Sequence, residues 1–93
     1  MFLLILSTGD KMEHFDFDNE VFFERIRRNI KRYRTEQGLT AAQLAERAGL
    51  GHDYLRQIES EKDRHHVSLI SLYKISRALD VTMDALVAVN DDK

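Results

Sequence analysis

The chain has 93 residues, no Cys and a formal net charge of −2. Its length suits one domain close to the lower limit for a self-sufficient core. The absence of Cys excludes a disulfide framework, a thiolate nucleophile and Cys-ligated zinc, and points to a reducing cytoplasm.

The apolar run Phe2 to Leu6 is far too short for a membrane span or a signal-peptide core, so neither export nor a membrane role is expected. Residues 1–17 lack a helical period and carry the turn-like Ser7-Thr8-Gly9-Asp10 and a second methionine, Met12. They are read as a flexible arm or tail added by an upstream start. The alternative is a short strand over Phe2 to Leu6 that pairs with a dimer mate.

From Asp18, apolar residues recur as Phe22, Phe23, Ile26, Ile30 and Tyr33, the spacing of an amphipathic helix over about 19–37. Gly38 supplies a left-handed C-cap. Thr40 then opens a second helix, 41–48, with Gln43 completing a capping box. Gly49-Leu50-Gly51 allows only a tight turn before a third helix, 52–60, in which Tyr54, Leu55 and Ile58 share a face. Residues 61–67, Glu-Lys-Asp-Arg-His-His-Val, are too polar for a core face and read as a surface loop.

Ser68 caps a fourth helix, 69–79, whose stripe of Leu69, Leu72, Tyr73, Ile75, Ala78 and Leu79 reads as core. Asp80-Val81 breaks it, and Thr82 caps a last short helix, 83–88, with Met83, Leu86 and Val87 apolar. An acidic tail, 89–93, follows. Five short helices with brief connections predict a compact all-α domain over 18–88.

The modest net charge conceals an uneven distribution. Residues 1–24 hold one Lys against six acids, a balance of −5, and residues 80–93 one Lys against four, a balance of −3. Residues 25–79 hold twelve Lys and Arg against six acids and so carry +6, with Arg25, Arg27, Arg28, Lys31, Arg32 and Arg34 packed together. A polyanion can bind that segment.

Leu39 to Glu59 has the layout of two helices crossing around a three-residue turn. Ala45 is small where the helices cross, Gly49 takes a conformation that penalises a Cβ, and Leu50, Leu55 and Ile58 fill the wedge. Such a unit projects the start of its second helix outward.

These residues resemble the Cro and phage-repressor (Xre-type) helix-turn-helix family. The resemblance runs from about Ile26 to Leu86. It includes Gly38-Leu39-Thr40, Leu44-Ala45, Ala48-Gly49, Tyr54-Leu55 and Gln57-Ile58-Glu59. Downstream it takes in Ser68-Leu69, Leu72, Lys74-Ile75, Ala78-Leu79 and Asp84-Ala85-Leu86. It implies a five-helix phage-repressor-like fold, a third helix docked in the major groove, and a homodimer on a pseudo-palindromic operator in double-stranded DNA. A repressor role in transcription follows from the same likeness.

Carried over by position, the base-contacting residues are His52, Asp53, Arg56 and Gln57. Arg56 suits the O6 and N7 of guanine and Gln57 suits adenine, whereas Asp53 accepts from cytosine but repels phosphate. Free N–H groups and the dipole at the start of the second helix make Thr40 and Ala41 phosphate contacts, with Ser60, Lys62 and Arg64 on the other side. The likeness also implies a structural ion pair between Arg34 and Glu59. Three positions depart from the family pattern and imply a modest DNA affinity: Ala41 stands where Gln is frequent, Gly51 where Ser or Thr is, and Glu61 where Gly is.

The other cations of the first helix have two open readings, contacts to the DNA backbone or a solvated basic face. Dimerisation is assigned to Met83, Leu86 and Val87, together with the arm, because so small a domain leaves apolar side chains there without partners. His14, His52, His65 and His66 are expected to serve structure or solvent rather than a metal, and no cofactor is implied. No nucleophile stands with a base in an interpretable arrangement, so an enzyme is not expected. Two alternatives remain: an antitoxin that binds operator DNA while its acidic residues 10–24 engage a toxin protein, and a module that keeps dimerisation but has lost DNA binding.

Overall fold

The first helix starts where Asp18 can cap it, its carboxylate accepting hydrogen bonds from the N–H groups of Glu20 at 2.9 Å and Val21 at 3.2 Å. The structure, a computed structural model, describes residues 17–60 and 66–89. The expectations placed on residues 1–16, 61–65 and 90–93 lie outside the described residues. Five helices follow in order: α1 Asn19–Glu36, α2 Ala41–Ala48, α3 His52–Glu59, α4 Leu69–Leu79 and α5 Met83–Val87. No strand occurs among the described residues. Gln37, Ser60 and Ala88, expected as last helical residues or nearly so, are caps instead.

Side-chain oxygens set three further N-termini. The Thr40 hydroxyl accepts from the N–H of Gln43 at 3.1 Å while the Thr40 N–H donates to the side-chain Oε1 of Gln43 at 2.8 Å, a reciprocal box. Ser68 accepts from the N–H of Ser71, and Thr82 from that of Ala85. Each cap satisfies a donor that the helix itself leaves open, worth about 1 kcal/mol.

Three C-termini share one device. The N–H of Leu39 donates to the carbonyl of Arg34, that of Leu50 to Ala45 and that of Val81 to Ser76, all at 2.9 to 3.0 Å. These six-to-one bonds need a left-handed residue just before the donor. Gly38 (φ 73°) and Gly49 (φ 71°) supply it without steric cost, whereas Asp80 (φ 60°) supplies it with a Cβ in place.

One core joins all five helices. Ile26 and Ile30 of α1, Leu44, Ala45 and Ala48 of α2, Leu55 and Ile58 of α3, Leu72, Ile75 and Leu79 of α4, and Leu86 of α5 are buried, along with Val67. α2 packs against α3 and α4, and α1 against α3 and α5. The small side chains of Ala45 and Ala48 let α2 approach its neighbours. Truncating Leu44 or Leu55 to Ala would cost about 2–5 kcal/mol, because such sites refill poorly.

Two polar side chains bind distant elements. Asn29 is buried, and its Nδ2 donates to the carbonyls of Leu86 (2.8 Å) and Ala88 (3.0 Å). Gln37 Nε2 donates to the carbonyl of Leu79 at 2.7 Å. Both close carbonyls at helix ends that would otherwise need water.

The structure corrects two expectations about apolar residues. Leu69 and Tyr73 are not core: they are 73% and 53% exposed, beside Ile70 at 69%. The buried arc of α4 is set by Ser71, Leu72, Ile75, Ser76 and Leu79. Tyr73 lies about 100° round the helix from Leu72, and Leu69 sits in the first turn. Leu86 is fully buried against its own chain and has no surface to offer a partner, so only Met83 and Val87 of the assigned trio reach the exterior.

Candidate nucleic-acid interface

The geometry of α2 and α3 follows from the turn between them. Gly49 turns the backbone left-handed, and only Leu50 and Gly51 precede His52, so α3 must leave α2 at a sharp angle. Leu44, Ala45 and Ala48 on one side and Leu55 and Ile58 on the other seal the inner faces. His52, Asp53 and Arg56 lie on the exposed face of α3, with Gln57 half-buried at its edge. An eight-residue helix so anchored presents a short row of polar side chains, the arrangement a duplex groove can accept.

Two interactions fix α3 from behind. Arg34 reaches from α1 to the end of α3, its Nε donating to Glu59 Oε2 at 2.8 Å and its Nη2 to Glu59 Oε1 at 2.9 Å. Its Nη1 donates to the carbonyl of Leu39 at 2.8 Å. The side chains are 12% and 9% exposed, so this fork ties together α1, the turn into α2 and the last residue of α3 away from water. At the other interface, the N–H of Ser68 donates to the Tyr54 hydroxyl. Burial pushes the Tyr54 phenol up, but hydrogen bonds with Ser71 and Ser68 outweigh it and leave the group below its ordinary value.

Asp53 and Arg56, singled out separately from the sequence, pair with each other. Arg56 Nη2 donates to Asp53 Oδ1 at 2.7 Å between two well exposed side chains. Their three-residue spacing on a helix was the available signal. Exposed pairs of this kind are worth about 0–1 kcal/mol, so a base edge can take the guanidinium, which has further N–H groups to offer.

At the start of α2 the capping box occupies the N–H of Thr40 and of Gln43. The backbone donors that point outward are therefore those of Ala41 and Ala42, while Thr40 retains its hydroxyl proton. The N–H of Ser60 donates to the carbonyl of Gln57 at the end of α3. Lys62 and Arg64 lie outside the described residues. His52 is on α3 whereas His66 stacks on Phe23 of α1, ring centroids 4.0 Å apart, with its Nε2 3.6 Å from Glu20. These two histidines do not meet, and the described residues hold no group of three or more His, Asp or Glu suited to a metal.

The remaining α1 cations divide: Arg27, seven residues from Arg34 and so on nearly the same side of the helix, is half-buried, and the others lie elsewhere. Arg25 Nη1 donates to the carbonyl of Val87, and Arg28 and Arg32 face Glu24 (3.9 Å) and Glu36 (3.3 Å). Arg25 is nine residues from Arg34, about half a turn round the helix, so Arg25 points away from the side that holds α3. No described helix is long and apolar enough to cross a membrane.

Comparison with known proteins places this arrangement. A family model described as helix-turn-helix matches residues 30–86. The HTH-type transcriptional regulator SinR of Bacillus licheniformis is 37% identical over 67 residues, covering 72% of this chain and 60% of the relative. The immunity repressor protein of Bacillus phage phi105 is 40% identical over 62 residues, covering 67% of this chain and 42% of the repressor. The chain thus spans less than two thirds of either relative. Among solved structures, the restriction-modification controller protein C.AhdI of Aeromonas hydrophila superposes with a TM-score of 0.63 at 28% identity, over 69% of this chain and 94% of that one.

Proposed function

The chain belongs to the helix-turn-helix family, and from that premise we propose that it is a cytoplasmic transcriptional repressor binding a pseudo-palindromic operator as a homodimer, with α3 in the major groove. The observation that carries this reading is the exposed row His52, Asp53 and Arg56 on a helix locked by the Arg34–Glu59 fork. Arg56 reads guanine, and Gln57 and His52 take neighbouring positions; a good bidentate contact is worth roughly 1–3 kcal/mol of discrimination. The outward N–H groups of Ala41 and Ala42, the hydroxyls of Thr40 and Ser60, and Lys62 and Arg64 hold phosphates and set the register.

Self-association uses the apolar side of the molecule. A groove of about 490 Å³ lies between Phe22, Phe23, Leu69, Leu72, Met83 and Val87, with exposed Ile70 and Tyr73 on the same helix as Leu69. Apolar area of this kind favours a second copy, and a two-fold pair would set its recognition helices about 34 Å apart, one turn of duplex.

The antitoxin alternative gains nothing from the fold. Of the acidic residues that motivated it, Asp18 caps α1, Glu20 faces His66 and Glu24 faces Arg28. Selection of the full chain against random duplexes, at low and near-physiological salt, tests the repressor reading. An enriched palindrome that is lost or relaxed with Arg56→Ala supports it. No enrichment and no binding at low salt overturns it in favour of a module without DNA binding.

A further inference from the structure

A cleft of about 650 Å³ runs along the flank of α1, lined by Arg25, Arg28, Lys31 and Arg32 with Asn29, Thr35 and Val89. Four cations thus converge on one concavity, and among the described residues no carboxylate lines it. Among the described residues the acids beside these cations are Glu24, 3.9 Å from Arg28 and beyond hydrogen-bond distance, and Glu36, which accepts from Arg32 at 3.3 Å. Lys31 is exposed and has no ion-pair partner among the described residues. Arg25 and Asn29 form the inner wall, held by the carbonyls of Val87, Leu86 and Ala88, so part of the site is fixed before any ligand arrives.

A concave surface bounded by protein focuses the field of its charges more than a convex one does. Arginine forks match the paired oxygens of phosphate and carboxylate, and a lysine adds a mobile point charge. We propose that this cleft binds a small polyanion bearing phosphate or carboxylate groups. Duplex DNA is disfavoured as the occupant because Arg25, Arg32 and Arg28 lie nine, two and six residues from Arg34, about 120–180° round α1 from the side that carries α3, with Lys31 about 60° away at the near rim. The site is independent of operator recognition.

The test is a titration of the full chain with inorganic pyrophosphate, and in parallel with citrate, followed by backbone amide NMR. Saturable shifts confined to residues 25–35 and 87–89, with 52–57 unmoved, are expected. Whichever of the two saturates first identifies phosphate or carboxylate as the preferred chemistry. The double variant Arg28→Glu/Lys31→Glu should weaken binding by about tenfold or more, since each reversed charge changes attraction to repulsion. Arg28→Gln/Lys31→Gln should lie between, and Arg56→Ala should have no effect. Both substituted side chains are exposed, and a circular dichroism melt verifies that the variants fold. Absence of saturation for both anions through the millimolar range overturns the proposal, as do shifts that persist unchanged in the double variant. So does a double variant that loses DNA affinity but not pyrophosphate affinity, which would make the cleft a backbone contact for the duplex.

Discussion

Replacing Arg34 with Ala removes three hydrogen bonds at once, two to the Glu59 carboxylate and one to the Leu39 carbonyl. What remains is a carboxylate whose side chain is only 9% exposed and which has lost its counter-ion. Breaking a buried pair from one side costs about 3–5 kcal/mol, well above the 0–1 kcal/mol of an exposed pair. A domain of this size has about 5–15 kcal/mol in total, so the variant should show a large fall in its urea midpoint at unchanged slope. Arg34→Lys should recover little, because a single ammonium cannot span both carboxylate oxygens and the Leu39 carbonyl. The double variant Arg34→Met/Glu59→Leu should recover much of the stability, because no unpaired charge is then left behind. A double-mutant cycle of Arg34→Met, Glu59→Leu and the double variant gives the coupling directly. A loss below about 1 kcal/mol for Arg34→Ala, or additive single and double variants, would refute the view that this fork holds the recognition helix in place.

Asp80→Gly should stabilise the chain by about 0.5 kcal/mol in thermal unfolding, because the left-handed C-cap at φ 60° then carries no Cβ penalty. Asp53→Ala should raise DNA affinity several-fold at low salt, since it frees Arg56 and removes a charge that repels phosphate. Fluorescence anisotropy across a salt series would show this, and a lower affinity would instead assign Asp53 a positive role at a base. Ile70→Glu should leave the protomer fold intact by its circular dichroism spectrum, because the side chain is already 69% exposed. The same change should shift the chain toward monomer in sedimentation velocity; an unaltered oligomeric state would exclude this face of α4 from the dimer.

The helices and their ends were legible because their causes are local. Asp18, Thr40 with Gln43, Ser68 and Thr82 each cap the helix that follows by accepting from an N–H two or three residues on, and Gly38 and Gly49 end the helices that precede them. A short-range hydrogen bond or a left-handed residue leaves its mark in neighbouring letters. The helix-turn-helix followed from the same kind of signal, small residues and a glycine turn at fixed spacing. The pairing of Asp53 with Arg56 was equally local and would have been found by weighing their three-residue spacing.

What the letters could not carry was set by distance through space. Asn29 reads as a polar interruption of α1 until the carbonyls of Leu86 and Ala88 are seen to close on it, 57 and 59 residues away. Leu86 and Leu69 are both leucines on apolar stripes, yet one is wholly buried and the other 73% exposed. Helical periodicity says which residues share a face, but only the packing of α1, α4 and α5 decides how wide an arc that face buries. In the same way, composition revealed a basic segment, and the rotation of α1 against its neighbours divided it. Arg34 is turned inward to hold α3, and Arg25, Arg28, Lys31 and Arg32 are turned outward to line a cleft.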